Sequence, residues 1–177
     1  MSNQPELSFE RDEWELIVTL PRRVLIAAVV SAPAEGRLAA EGIAGIEAIA
    51  SGLASTSPLV REVVASIYSE DYSAVRSEPL HSAKDSTSGP RGGPTDRIQG
   101  ADETSAEVEV IPTLAACRYA AEILANRANE PDATAYREWL LHIAAVVSGV
   151  AQGVVGVGSV ALSESRFMYA LGGVLRP

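Results

Sequence analysis

Residues 139–162 read W-L-L-H-I-A-A-V-V-S-G-V-A-Q-G-V-V-G-V-G-S-V-A-L, twenty-four positions without a charged side chain. A helix of that length would cross a bilayer. Gly149 and Gly153 form a G-x-x-x-G, a spacing that lets membrane helices approach closely. The composition points the other way. The stretch is built from Gly, Ala, Ser and Val, carries His142 and Gln152, and has no long Leu, Ile or Phe run. Gly153, Gly156 and Gly158 would break a helix near its middle. A buried helix followed by a glycine turn accounts for it better. Membrane association through 139–162 stays as a lesser alternative.

Working outward, the same helix extends back into a polar punctuation at Asn129-Glu130-Pro131-Asp132, where Asp132 or Thr134 is expected to cap it. Trp139, Ile143, Val146, Val147, Val150 and Val154 are expected to face inward. Beyond the turn at Gly156-Val157-Gly158-Ser159, Ser163 is the expected cap of a last helix. Its apolar stripe is Phe167, Met168, Leu171, Val174 and Leu175. Upstream, Leu114, Cys117, Ala121, Leu124 and Ala128 form another stripe.

The front of the chain, from Phe9 to about Tyr68, is also helical in pattern. Trp14, Ile17, Val18, Pro21, Leu25, Ala28 and Val29 share one face. Pro21 predicts a kink or a restart, because proline lacks the backbone donor and crowds the preceding turn. Pro33 and Gly36 end that helix. A second helix is expected over about Arg37 to Leu53, with Ile43, Ile46, Ile49, Ala50 and Leu53 inward. Ser57-Pro58 reads as a cap followed by proline at the first helical position, opening a third helix with Val60, Val63, Val64 and Ile67 inward.

Between these halves, residues 69–107 are rich in Ser, Gly, Pro and charge. Such a segment buries too little apolar surface to offset the entropy of ordering it. A flexible linker or surface loop is expected there. The expected fold is therefore all-α, a bundle of about six helices in a single domain, 1–177. A shift of about 125 positions lays Glu13-Trp14 over Glu138-Trp139 and Val18 over Ile143. Two pseudo-symmetric helical hairpins would follow from such a repeat.

The chain has 177 residues, a net charge of −9 and 47% hydrophobic but only 5% aromatic residues. A strongly acidic protein repels phosphate backbones and anionic membrane surfaces, so neither nucleic acid nor membrane is an expected partner. One cysteine, Cys117, permits no intramolecular disulfide. That suits a reducing compartment, and the acidic, polar start lacks the pattern of a secretory signal. A cytoplasmic location is the expectation.

The last forty residues carry a resemblance. Glu138-Trp139-Leu140-Leu141, a small-residue helix, and then Gly156-Val157-Gly158-Ser159-Val160-Ala161-Leu162-Ser163-Glu164 resemble a group of uncharacterised bacterial all-helical proteins. Those pair a W-L-L helix with a glycine-rich turn and a V-S-E helix start. Their front half has a helix with a central proline, matched by Pro21, and a D-P-x-G turn, matched in part by Pro33-Ala34-Glu35-Gly36. The resemblance covers about a third of the chain and implies an all-helical fold. More loosely, the helix, glycine turn and acid-bearing helix resemble TerB-like tellurite-resistance domains, which implies metal binding by clustered carboxylates. Ala151-Gln152-Gly153 and Arg166 stand where the uncharacterised group has charged or acidic residues.

Catalytic signatures are absent from the sequence. It contains no H-E-x-x-H, paired C-x-x-C or G-x-S-x-G. The glycines at 149, 153, 156 and 158 lack the strand and the Lys-Ser/Thr of a phosphate loop. His81 lies in the expected loop, and Cys117 lies on an apolar stripe, where free cysteine behaves as a small hydrophobe. Glu35, Glu41 and Glu164, beside the two interhelical turns, are the candidate oxygen ligands for a divalent metal ion. His142 and Trp139 are further binding candidates, with core or structural roles as the simpler reading, and Trp14 reads as a core anchor. The leading functional expectation is a non-enzymatic protein that binds a protein partner or forms a homo-oligomer. The alternative is a TerB-like stress protein holding a metal ion.

Overall fold

Pro21 is where the sequence predicts a kink or a restart, and the helix does not restart there. The computed structural model describes residues 9–31, 38–77, 101–152 and 162–176. Helix α1 runs from Arg11 to Ser31 with Pro21 inside it, and Pro21 is buried. Proline at 21 has no N–H for the carbonyl of Ile17, four residues earlier. The Tyr136 hydroxyl donates to that carbonyl at 2.7 Å. Tyr136 is fully buried, so a donor from another helix replaces the one proline removed. The start of α1 is fixed locally. The backbone N–H of Glu10 donates to the Glu13 carboxylate at 2.9 Å, one arm of a capping box.

Five more helices follow among the described residues: α2 (Leu38–Ser51), α3 (Pro58–Ser77), α4 (Ala101–Arg127), α5 (Glu130–Gln152) and α6 (Leu162–Val174). A 3-10 turn, Gly52–Ala54, ends α2. The all-α bundle expected from the apolar periodicity is what forms. The long segment between the halves lies between α3 and α4. Helix α3 continues to Ser77 and α4 begins at Ala101, so helix covers both ends of 69–107. Residues 78–100, with His81, lie outside the described residues, as do the turns at 32–37 and 153–161.

The caps follow simple chemistry. Ser57 accepts the Val60 N–H at 3.3 Å, with Pro58 at the first helical position of α3, as the sequence predicts. The Ser57 hydroxyl also donates to Asp132 at 2.5 Å, which ties the starts of α3 and α5 together. The cap of α5 is neither Asp132 nor Thr134. Asn129 takes that place, accepting the Asp132 N–H at 2.9 Å. Its side-chain amide donates back to the Asp132 carboxylate at 2.7 Å. Asn129 wins because the helix starts at Glu130, and Pro131 is tolerated within a first turn whose N–H groups have no intrahelical partner. Helix α6 begins at Leu162, so Ser163 and Glu164 fall within its first turn rather than before it.

Helix α5 is central. It packs on α2, α1, α3, α6 and α4, while α1 packs most extensively on α4. One apolar core draws on all six helices. Ile17, Leu20 and Val24 meet Leu59, Val63, Leu124, Tyr136, Leu140, Ile143, Val147 and Leu171, all within 0–1% exposure. Most stripes fall where periodicity puts them: Val60, Val63, Val64 and Ile67 on α3, and Phe167, Leu171 and Leu175 at the end. On α4 the stripe is rotated slightly, with Thr113, Cys117, Ala120 and Leu124 innermost and Leu114 and Ala121 half-buried. The two tryptophans that a 125-residue shift superposes have different settings. Trp139 is buried, and Trp14 is half-buried against Phe9 at 5.8 Å between ring centres.

Helix α2 departs most from its reading. Ile43, Ile46 and Leu53 were expected inward and are 58%, 57% and 52% exposed. Ile49 alone of that stripe is buried, beside Ala48. The cause lies in the small residues of the same helix, which set how closely α2 approaches its neighbours.

Candidate functional site

Helix α2 is apolar on two faces, which periodicity alone cannot rank. Gly45, Ala48 and Gly52 recur at helical spacing and all are buried. A methyl carbon built on Gly45 would lie 2.5 Å from Leu25 of α1 and 3.1 Å from Val147 of α5. One on Gly52 would lie 2.8 Å from both the Trp139 ring and Val64. Backbone is therefore packed directly against large side chains. An Ile at either place would push α2 off the core. The bulky residues are left to the other side.

Trp139 locks this arrangement. Its indole N–H donates to the Ala48 carbonyl at 3.2 Å. That carbonyl lies in the last turn of α2, where intrahelical donors run out. The Ser51 hydroxyl donates to the same oxygen at 2.7 Å. The Trp139 ring also packs edge-on to Tyr136, with centres 5.9 Å apart. Two neighbouring aromatics on α5 thus hold two helices by their backbones: Tyr136 takes Ile17 of α1, and Trp139 takes Ala48 of α2. As a binding candidate, Trp139 is instead a core residue with a structural hydrogen bond.

The outward face of α2 has a regular pattern. Ala39, Ile43, Ile46, Ala50 and Leu53 alternate steps of four and three, which is the a/d spacing of a helix-pairing seam. The three large members each exceed half exposure. Glu47 is exposed beside them. The outward side of neighbouring α1 adds Ile26 and Val30, at 45% and 37%. Single exposed apolar residues are ordinary, but two large ones along α2 followed by a third on its terminal 3-10 turn mark an interaction surface.

The carboxylate candidates do not form a described site. Glu35 lies in 32–37, outside the described residues. Glu164 is in the first turn of α6, and its side chain is outside them too. Glu41 is buried at 1% exposure in the first turn of α2, where a negative charge suits the positive end of the helix dipole. Among the described residues, no three His, Cys, Asp or Glu side chains converge as a metal ion requires. His142 is exposed on the solvent side of α5. Among the described residues, no helix is long and apolar enough to cross a membrane.

Other polar groups are engaged in holding the bundle. Arg127 at the end of α4 bridges Glu10 and Glu13 at 2.8 and 3.2 Å, beside an open groove of about 370 Å³. Its hydrogen bond to Glu13 leads the interactions that raise its pKa. Arg137 is buried between Glu130 at 3.0 Å and the Ala133 carbonyl at 3.0 Å. Burial pushes the Cys117 thiol up to about 12, against a smaller opposite pull from Arg23. A thiol so disposed is a poor nucleophile. Burial likewise raises the Tyr136 phenol well above its ordinary value.

No protein-family model, curated protein or solved structure matches the chain. Hydrophobicity alone places Ile43, Ile46 and Leu53 inward and so misses the outer face of α2. The usable signal was Gly45, Ala48 and Gly52. Small residues repeating on one face mark where helices touch closely.

Proposed function

We propose that this protein acts by protein–protein association, with the outward seam of α2 as its contact surface. The supporting observation is the inversion of α2: Gly45, Ala48 and Gly52 face the core, while Ile43, Ile46 and Leu53 face water. Fully burying an Ile or Leu is worth about 1.5–3 kcal/mol. A helix that leaves three of them half in water gains most of that only when something covers them. The seam holds no charge of its own. Selection would therefore come from shape and from residues flanking it, such as Glu47.

The test is a photo-crosslinking amino acid in place of Ala50, half-buried within the seam, used in intact producing cells. A defined covalent adduct at 50, with none from the same group at exposed His142 on α5, is the expected result. Equal labelling at both positions, or no adduct at 50, would overturn the reading.

A further inference from the structure

We infer that the occupant of the α2 seam is a second copy of this chain, placed by a twofold axis that pairs α2 with α2. This rests on the reading of α2 as a contact surface and goes further by naming what covers it.

Three observations favour a copy over a foreign partner. The first is the spacing. Ala39, Ile43, Ile46 and Ala50 occupy successive d and a positions of α2, and Leu53 follows on the 3-10 turn. That pattern is complementary to a helix bearing the same pattern, because knobs from one seam enter holes of the other. The bundle already uses the opposite face of α2, so this seam has no role within the described fold.

The second is charge. The chain carries −9 overall, so two copies repel at most approaches. The seam itself has no ionisable member, so two copies place no like charges within it, and Glu47 is the one carboxylate at its edge. A foreign partner selected by electrostatics would require a charged surface, which the seam lacks. A twofold contact requires only that the patch be complementary to itself.

The third is area. Ile43, Ile46 and Leu53 each leave on the order of 100 Å² in water, and with the alanines of the seam the apolar area is about 400 Å² per copy. Homodimer interfaces are about 65% apolar, so a contact centred here would cover about 600 Å² per copy and about 1,200 Å² in all. That is the lower end of a stable, specific interface. An interface of that size fits a reversible dimer rather than an obligate one.

Sedimentation equilibrium of the full chain and of Ile46→Asp is the test. Ile46 is exposed, so the variant is expected to keep the helical circular dichroism of the parent. In a twofold dimer each substitution acts twice, so the dissociation constant should rise by about 100-fold or more. Ile46→Cys gives a second readout. Residue 46 is the midpoint of the seam 39–53, so any twofold pairing in full register brings it near its own copy. The native Cys117 is buried, which leaves Cys at 46 as the reactive thiol.

The expected result is a concentration-dependent dimer, lost in Ile46→Asp, with a disulfide-linked dimer forming on oxidation of Ile46→Cys. A dimer unaffected by Ile46→Asp overturns the inference. So does a chain that stays monomeric to about 100-fold above the micromolar range. The thiol at 46 separates the two levels of failure in a monomer. If it reacts freely with a small maleimide, the face is open and the second copy alone is rejected. If it is protected, the chain covers its own seam, and the contact-surface reading falls with it.

Discussion

Helices α2 and α5 have similar compositions and opposite placements. Both are rich in Ala and β-branched residues. Helix α5 turns its large side chains inward: Tyr136, Trp139, Leu140, Ile143 and Val147 are all buried. Helix α2 turns its small ones inward and leaves Ile43, Ile46 and Leu53 in water. The two are complementary across their contact, since the rings and branches of α5 need a neighbour whose backbone can come close. Trp139 fits against Gly52 because Gly52 has no side chain. A buried helix can thus be either the one that fills space or the one that yields it. The yielding helix has its large residues free for another purpose.

Breaking the filling side should cost most. Trp139→Ala removes the ring against Gly52 and the donor to Ala48, and is expected to destabilise by about 3–5 kcal/mol in urea unfolding. Amide exchange should accelerate in α2 more than in α6. Equal acceleration in both would mean that Trp139 does not specifically hold α2.

Tyr136→Phe comes next. It leaves the Ile17 carbonyl buried without its donor, at about 1–3 kcal/mol. The cost should shrink in a Pro21→Ala background, where residue 21 regains an N–H for that carbonyl. A double-mutant cycle with no coupling would contradict the pairing of proline and tyrosine.

Glycines on the two sides of α2 should then respond with opposite signs. Gly52→Ala forces a carbon to within 2.8 Å of Trp139 and Val64, and is expected to cost about 1–3 kcal/mol. Gly42→Ala meets nothing within 4 Å and should gain up to about 1 kcal/mol from helix propensity.

Alkaline pH gives a smaller and more gradual effect. Cys117 and Tyr136 have folded-state pKa values above their unfolded ones. Each therefore contributes stability that is fully present below the unfolded value and is lost as pH rises through the folded one. Stability should fall from the ordinary thiol value of 9.0 upward, with the Cys117 part lost by about 12. Cys117→Ala should flatten part of that slope.

The sequence carried the helix inventory well because it rests on local rules. Apolar stripes, Pro58 at a helix start and the glycine-rich breaks each act over a few residues. The buried stripe and the cap of α3, and the Phe167, Leu171 and Leu175 stripe of α6, follow these rules, whereas α6 starts one residue before Ser163. What failed were comparisons between faces or between helices. The Asn129 cap competes with Asp132 and Thr134 for one role, and only the start of α5 at Glu130 decides it. The survival of α1 through Pro21 depends on Tyr136, 115 positions further along the chain. The outward seam of α2 depends on Leu25, Val64, Trp139 and Val147 lying against two glycines. None of these tertiary partners is visible to a periodicity argument. Glu35, Glu41 and Glu164 stand near turns in the sequence, and nearness to a turn does not require them to converge.

The orientation of α2 is the central claim, and one paired measurement addresses it. Ile46→Asp and Ala48→Asp place the same charge two residues apart on opposite faces. Their denaturant unfolding should be compared at a protein concentration low enough to keep the chain monomeric. The expected result is that Ile46→Asp stays within about 0.5 kcal/mol of the parent, as a surface change should. Ala48→Asp should lose about 3–5 kcal/mol, from a charge buried without a partner. Equal losses, or a larger loss at 46 than at 48, would contradict the account.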